Sequence, residues 1–250
     1  MKIIRLFFLV ILCNYSLLAD TKAIYSFSNV GINFFDWTDK TENVTTKKDF
    51  SYLSVEGGIA WDFAEIYATA NLENPLKSYS DEAPNNLRYT ALIDTDVNIV
   101  NQFRLHIQNF YLEGNDFYVN DFVLGFGYKY INQNFWIRPF IGAHHTDDSF
   151  YSGWNGYMTG WTLNYIFKVY GENFSLFQWN EIEFGRSRKF YLNGNVPIGD
   201  GKSYGLNGSV NFFWNINKKI TTGVQYRYAD HKLGSIEYQA GVIYMLKYNF

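Results

Sequence analysis

Cysteine is nearly absent from this sequence of 250 residues, because Cys13 is the only one. If export removes the segment that contains it, the remaining chain can form no internal disulfide and offers no thiolate nucleophile. Proline is also scarce, with 4 residues, and beyond residue 19 there is no run of about 18 apolar residues. These absences exclude cysteine-based catalysis and predict that no transmembrane helix follows the N-terminal segment.

The N-terminus has the pattern of a secretory signal peptide. Two basic residues precede an unbroken apolar run, and Ala19 is a small residue of the kind found before a cleavage site. We therefore predict a cleaved signal peptide over residues 1–19 and one mature domain over residues 20–250. Lipid attachment at Cys13 is disfavoured, because the residue before it, Leu12, is not small.

The composition combines many aromatic residues with a polar average. Aromatic residues make up 20% of the chain, charged residues 18%, and the mean hydropathy is −0.22. A transmembrane barrel reconciles these values, since its strands turn an apolar stripe to lipid and a polar stripe to the lumen. The net charge of −3 indicates neither nucleic-acid binding nor a polybasic membrane anchor.

The segment 238–250 alternates with a period of two residues. Tyr244 and Leu246 fall on its apolar face, whereas Lys247 and Asn249 fall on the other face. An amphipathic helix would place these two polar side chains on its apolar stripe. The segment is therefore predicted to be a strand, and its terminal Phe250 resembles the assembly signal of outer-membrane barrel proteins.

The same period predicts eleven further strands. They are residues 24–36, 50–60, 63–73, 87–96, 103–113, 122–130, 134–146, 157–167, 174–185, 204–215 and 220–229. A total of twelve is even, as single-chain bacterial barrels require. The predicted fold class is all-β, a transmembrane antiparallel up-and-down β-barrel of about twelve strands in the bacterial outer membrane.

The connections between these strands provide a second test of the count. Both termini of such a barrel face the periplasm, so long outer loops should alternate with short inner turns. The predicted outer loops are 37–49, 74–86, 114–116, 147–154, 186–202 and 230–235, and the inner turns lie near 61–62, 97–102, 132–133, 171–173 and 217–219. Only 114–116 breaks the contrast in length.

Three short stretches resemble Tsx-type nucleoside-specific outer-membrane channels. The first is Trp154-Asn155-Gly156-Tyr157 at a strand start, where Asn155 stands in place of the family's acidic residue. The second runs from Tyr52 to Glu56 and on to the turn Trp61-Asp62-Phe63, and the third is the ending Lys247-Tyr248-Asn249-Phe250. The resemblance implies a monomeric twelve-stranded barrel whose narrow lumen binds nucleosides weakly through aromatic and ionisable residues.

Strand phase predicts which side chains face the lumen. A charged Arg or Lys on the lipid face near the midplane would cost about 2–4 kcal/mol, so the charged residues of the strands are assigned inward. The predicted solute-binding residues of the lumen are Tyr52, Glu56, Glu65, Tyr67, Arg88, Arg104, Phe110, Trp136, Arg138, Phe140, Trp179, Glu181, Glu183 and Arg227. Phe35, Lys129, Phe177 and Lys247 are predicted to face inward as well.

The hypothesis that the lumen binds nucleosides rests on the inward aromatic rings. Aromatic side chains stack on bases at about 1–3 kcal/mol per base, and neighbouring charged groups can hydrogen-bond a ribose. Two alternatives remain open at this point: charges that only pair with one another across the lumen, and rings that only fill it. A phase error of one residue would also turn every ring to lipid.

The histidines give little support to an enzyme. Outer-membrane lipases of this size place a Ser two positions from a His on one strand face, and none of the four histidines has this pattern. The run from His144 to Asp148 could bind a metal or join an acidic proteolytic site. We interpret it as a solvated loop tip, and predict no enzymatic activity, no cofactor and no metal.

The sequence thus favours an outer-membrane channel for passive uptake of small polar solutes, most of all nucleosides. The alternatives are a structural or adhesive barrel with a closed lumen and an outer-membrane hydrolase. The expected partners are outer-membrane lipid, the barrel assembly machinery and the solutes themselves, with no nucleic acid.

Overall fold

A computed structural model describes residues 22–115 and 117–250. The predicted signal peptide and Cys13 lie outside the described residues. No helix within the described part of the chain is long and apolar enough to cross a membrane.

The structure is dominated by antiparallel strands. The strands of the described residues are β1 (Tyr25–Trp37), β2 (Phe50–Ala60), β3 (Ala64–Glu73), β4 (Arg88–Val100), β5 (Phe103–Glu113), β6 (Tyr118–Tyr128), β7 (Tyr130–Ile131), β8 (Phe135–Asp148), β9 (Ser152–Val169), β10 (Glu172–Phe184), β11 (Leu192–Asn193), β12 (Val196–Pro197), β13 (Tyr204–Asn215), β14 (Ile220–Asp230) and β15 (Gln239–Asn249). The same described residues also form two short helices in loops, α1 (Asp39–Val44) and α2 (Arg188–Tyr191).

Twelve of these strands close a barrel, which confirms the predicted fold class. Each long strand pairs with its neighbours in sequence, β15 pairs with β1, and β6 pairs with β8. The two-residue strand β7 pairs with β8 beyond the end of β6, while β11 and β12 form a separate ribbon in a loop. A closed barrel leaves no unpaired edge, as the hydrocarbon core of a membrane requires.

The alternation along each strand separates a lipid face from a lumen face. On β1, Ile32 is 63% exposed and points to the lipid side, whereas its neighbours Gly31 and Asn33 are buried inside. Residues paired across neighbouring strands face the same side of the sheet. Because Asn33 lies opposite Tyr52 and Asn29 opposite Glu56, Tyr52 and Glu56 also face the lumen. The predicted strand phase is therefore correct for every strand that contributes a predicted lumen residue.

Aromatic side chains gather on the lipid face near the end of the short turns. Phe174 stacks on Phe167 with centroids 5.9 Å apart and on Phe212 at 5.4 Å, and Trp214 extends the row. Rings at this depth match the aromatic girdle of outer-membrane barrels, where an apolar ring meets the polar interface. The girdle supports placement of the barrel in a bilayer.

The predicted bounds of some strands were too short. β6 begins at Tyr118 rather than at residue 122, and β8 and β9 reach Asp148 and Ser152, so the predicted loop 147–154 shrinks to three residues. The ladder continues there because Asp147 pairs with Ser152 across the hairpin. Polar side chains can extend a hairpin beyond the membrane, where the lipid face no longer requires apolar residues.

Candidate functional site: a lumen of rings and ion pairs

Every predicted solute-binding residue faces the interior of the barrel. By the register, inward positions follow one another on neighbouring strands, such as Glu65 opposite Asp96 and Asp96 opposite His106. The residues nevertheless separate into several groups along the lumen. They lie between the end of the barrel with the short turns, where β1 begins and β15 ends, and the end with the long loops.

The inner network lies near the short turns and consists of Glu65, Asp94, Asp96, His106, Lys129 and Arg138. The Arg138 guanidinium lies 3.6 Å from Asp94, 3.5 Å from Asp96 and 3.7 Å from Glu65. Lys129 forms an ion pair with Glu65, and the Nδ1 atom of His106 lies 2.9 Å from Asp96. Arg138 thus joins carboxylates of β3 and β4 across the lumen from β8.

An aromatic stack lies beside the inner network. The rings of His106 and Phe140 lie 4.1 Å apart and nearly parallel, at 18°. They belong to β5 and β8, which are separated by β6, and on β6 Gly125 lies opposite His106 while Gly127 lies opposite Phe140. A Cβ atom on Gly125 would overlap the backbone carbonyl of Ile141, so glycine is required for the close approach of β6 to β8 at this level.

A further carboxylate, Glu56, lies on β2, the neighbour of β3. Lys247 forms an ion pair with Glu56, while Asn29 donates to its Oε1 atom at 2.9 Å and Tyr67 to its Oε2 atom at 3.1 Å. The Lys247 ammonium also lies 4.8 Å from the centre of the Phe213 ring. Glu56 and Tyr67, which were both predicted to face the lumen, therefore contact each other.

Two cation–ring pairs line the lumen, and one of them includes Arg138 of the inner network. The Arg227 guanidinium lies 4.2 Å from the centre of the Trp179 ring, and that of Arg138 lies 5.2 Å from Trp136. Trp136 also meets Phe177 edge to face at 6.1 Å. Such contacts orient the rings and keep a positive charge beside each.

Other inward side chains form a hydrogen bond across the lumen, an ion pair and an apolar cluster. Gln108 on β5 donates to Glu181 on β10 at 2.6 Å, and these strands are not neighbours, so the contact crosses and narrows the lumen. Arg88 pairs with Glu73 at 2.7 Å and lies over Phe50. An apolar cluster on the same side is formed by Phe35, Trp37, Ile243 and Met245, with Phe50, Tyr52 and Phe213 packed against it.

The remaining predicted residues lie apart from these pairs. Arg104 donates to the Asn101 carbonyl at 3.1 Å, near a short turn. Phe110 faces inward on β5, opposite Asp121 of β6. Glu183 is 1% exposed and belongs to a cluster of charged residues at the end with the long loops.

The outer cluster consists of Asp121, His144, Glu183, Arg186, Asp200 and Lys232, and it lies beneath the long loops. Arg186 donates to Glu183 at 2.7 Å and lies 3.2 Å from Asp200, while Lys232 forms an ion pair with Glu183. Arg186 and Asp200 come from the loop after β10, and Lys232 comes from the loop before β15. Two loops are therefore bound to the barrel interior by charge.

The interpretation of the run from His144 to Asp148 as a solvated loop tip was wrong. His144 and Thr146 are 0% and 2% exposed and lie on the inward face of β8, paired with β6. The Trp-Asn-Gly-Tyr motif contacts the same region: Asn155 is fully buried, donates to Thr146 at 3.3 Å and accepts from the Ser187 amide at 2.9 Å. The motif thus joins β9 to the outer cluster.

Several inward polar residues were not predicted as site residues. Asp94 and Asp96 share the phase of Arg88 on β4, and His106 and Gln108 share that of Arg104 on β5, so alternation could have identified them. Asp121 was missed because the predicted strand began one residue after it. Lys232 carries no alternation signal, because it lies in a loop.

Fold and interior together define a porin-like β-barrel channel of the bacterial outer membrane. The family model described as "Nucleoside-specific channel-forming protein, Tsx" matches residues 32–250, and the chain belongs to this family. The resemblance seen in the sequence is thereby confirmed, and the protein is an outer-membrane channel for small solutes.

Solved porin structures are similar to this chain to different degrees. The NanC porin superposes with a TM-score of 0.53 at 6% identity, over 88% of this chain and 98% of that chain. A structure described as the KdgM porin in complex with disordered oligogalacturonate gives a TM-score of 0.47 at 8% identity, over 90% of this chain and 99% of that chain. At 6% identity, the likeness to the NanC porin indicates the fold alone.

Proposed function

We propose that this channel prefers nucleosides, and that they pass along the inward rings Trp136, Phe140 and Trp179. A nucleoside combines a flat base, which stacks on an aromatic face, with a ribose that offers hydroxyl groups. The family description, with its nucleoside-specific channels, supports this choice of solute. The observation that carries the proposal is the Trp179–Arg227 pair, which joins a stacking face to a fixed charge in the lumen.

The charged groups around the rings suit a solute that is polar but uncharged. Glu181 accepts from Gln108, and Arg138 is shared among three carboxylates, so both signs lie within reach of a passing ribose. Neutral hydroxyl groups can exchange with such partners without leaving a charge uncompensated. Weak stacking and exchangeable hydrogen bonds allow release, as a channel requires.

The proposal is tested by the block of single-channel current that added nucleoside produces. Replacing Trp179 with Ala removes one stacking face, and we expect the nucleoside concentration for half-block to rise about 5- to 150-fold, from a stacking energy of about 1–3 kcal/mol. Tyr244→Phe is the matched control, because Tyr244 is half exposed on the lipid face. Its block should equal that of the wild type.

A variant in which both Trp136 and Trp179 are replaced by Ala gives the decisive comparison. We expect it to conduct ions with much less block by nucleoside, because only Phe140 of the three rings remains and His106 covers one of its faces. Block equal to that of the wild type would remove these rings from the proposal and leave the channel itself in place.

A further inference from the structure

The loop that joins β14 to β15, residues 231–238, reaches across the barrel, and we name it the inward loop. Its residue Lys232 is 9% exposed, forms an ion pair with Glu183 and lies 3.8 Å from Asp121 Oδ2. Asp121 belongs to β6, which is separated from β14 by β13, β10, β9 and β8, and from β15 by β1 to β5. The loop and its lysine therefore meet the wall that faces them across the lumen.

The backbone of the inward loop is held by side chains at two of its residues. Gln239 is fully buried on the inward face of β15, and its amide donates to the Lys232 carbonyl at 2.8 Å. The Gly234 amide donates to Asp200 Oδ1, also at 2.8 Å. Because backbone groups withdrawn from water must be paired, these contacts stabilise the loop in its inward position.

Two residues of the inward loop have a strained backbone. The φ angles are 46° at His231 and 62° at Leu233, in the left-handed region that residues other than glycine rarely adopt. The same two residues accept hydrogen bonds at their carbonyls, from Arg186 at 2.8 Å and from Lys47 at 3.0 Å. Such a conformation persists only where surrounding contacts hold it, so the strain favours release of the loop.

We propose that the inward loop constricts the outer mouth of the channel, and that Lys232 holds it there and thereby limits the size of the solutes that enter. The two carboxylates that Lys232 meets lie near the outer ends of β6 and β10, on the inward face. Without the ammonium they lose a shared, largely buried partner, and the strained loop moves out of the lumen. A wider mouth admits larger solutes, because pore diameter is one determinant of selectivity.

This inference does not depend on the preference for nucleosides, since a constriction acts on every solute. The test is therefore the entry of two uncharged sugars, a hexose and a trisaccharide, into liposomes that contain the folded barrel. Uncharged probes report the width of the mouth rather than its charge. In Lys232→Met, we expect the rate for the trisaccharide relative to that for the hexose to rise severalfold.

Two further variants serve as controls. Lys189→Met makes the same chemical change at an exposed residue of the loop after β10, at the same end of the barrel, and should keep the wild-type ratio. Lys232→Arg retains a cation between the two carboxylates and should exclude the trisaccharide as the wild type does. Heat-modifiable migration on gels verifies that each variant is folded.

Amide hydrogen exchange, read by mass spectrometry, gives a second measurement that applies to the wild type as well. The Gly234 amide should be protected in the wild type, and it should exchange about tenfold faster or more in Lys232→Met. The proposal is overturned if folded Lys232→Met keeps the wild-type ratio of sugar entry, or if Lys189→Met raises the ratio equally. It is also overturned if the wild-type Gly234 amide exchanges as fast as that of a free peptide.

Discussion

Arg138 is an inward side chain surrounded by three carboxylates. It comes from β8, and its guanidinium lies within 3.7 Å of Glu65, Asp94 and Asp96, which belong to β3 and β4. Its side chain is only 14% exposed, so water screens these charges weakly. Removing the guanidinium would leave carboxylates close together with less compensation.

We expect Arg138→Met to destabilise the barrel by on the order of 3 kcal/mol, the usual scale for removing one partner of a buried ion pair. Denaturant unfolding in micelles measures this change. Arg188→Met makes the same chemical change in an exposed loop side chain whose guanidinium contacts Asn195, and it should cost no more than about 1 kcal/mol. Equal losses in the two variants would contradict the account of the inner network.

Lys47 gives the outer mouth a charge that titrates near neutral pH. Its ammonium donates to the Leu233 carbonyl at 3.0 Å, which joins the loop after β1 to the loop before β15. Burial, with the Arg88 guanidinium acting in the same direction, lowers the pKa of Lys47 to about 8. Lys47 is therefore mostly charged at pH 7 and mostly neutral at pH 9.

Raising the pH from 7 to 9 should consequently shift ion selectivity toward cations, because the mouth loses a positive charge. The reversal potential in a salt gradient measures this shift. Lys47→Gln removes the titrating group, so its selectivity at pH 7 should already resemble that of the wild type at pH 9. A full pH shift that persists in Lys47→Gln would assign the titration to another group.

The site residues could be predicted from the sequence where strand phase alone decides them. Tyr52, Trp179 and Glu181 face inward because every second residue must, and the register confirms it. Their partners could not be predicted, since the contact between Gln108 and Glu181 depends on which strands face each other across the lumen. The inward position of Lys232 could not be predicted either, because a loop that folds into a barrel has no periodic pattern in the sequence.

At the scale of elements, the twelve barrel strands were predictable because lipid and lumen impose opposite polarity on alternate residues. The ends of these strands were less predictable from the sequence. The hairpin of β8 and β9 continues to Asp147 and Ser152, where a ladder persists without an apolar face to reveal it. The same reason explains why Asp121 fell outside the predicted strand.

The last strand is the element on which closure depends. β15 pairs with both β14 and β1, and the Phe250 amide donates to the Ser28 carbonyl at 3.1 Å. The Phe250 ring is 79% exposed toward the lipid side and meets Tyr248 edge to face at 5.5 Å. An apolar ring at this position suits the membrane interface.

Deleting Phe250, or replacing it with Asp, should lower the yield of folded barrel in the outer membrane while export continues. The ratio of folded to unfolded bands on unheated gels measures the yield. Phe250→Tyr keeps an aromatic ring and should assemble like the wild type. An unchanged folded fraction in the Asp variant would show that assembly does not depend on this residue.

At the scale of the whole molecule, a closed barrel places a polar, aromatic-lined lumen inside an apolar shell. The cross-lumen contacts of Gln108 with Glu181 and of Arg138 with Asp94 narrow this lumen, and the outer cluster binds two loops above it. A narrow channel with fixed rings and charges should select among small polar solutes.

The most direct measurement of this account compares solute entry into liposomes that contain the purified barrel. The account predicts swelling in both a nucleoside and a hexose, with faster entry of the nucleoside although it is the larger solute, because only the nucleoside has a base to stack. Entry of the hexose at an equal or higher rate would contradict the preference for nucleosides. An absence of swelling in every solute, from barrels shown to be folded, would contradict the open channel itself.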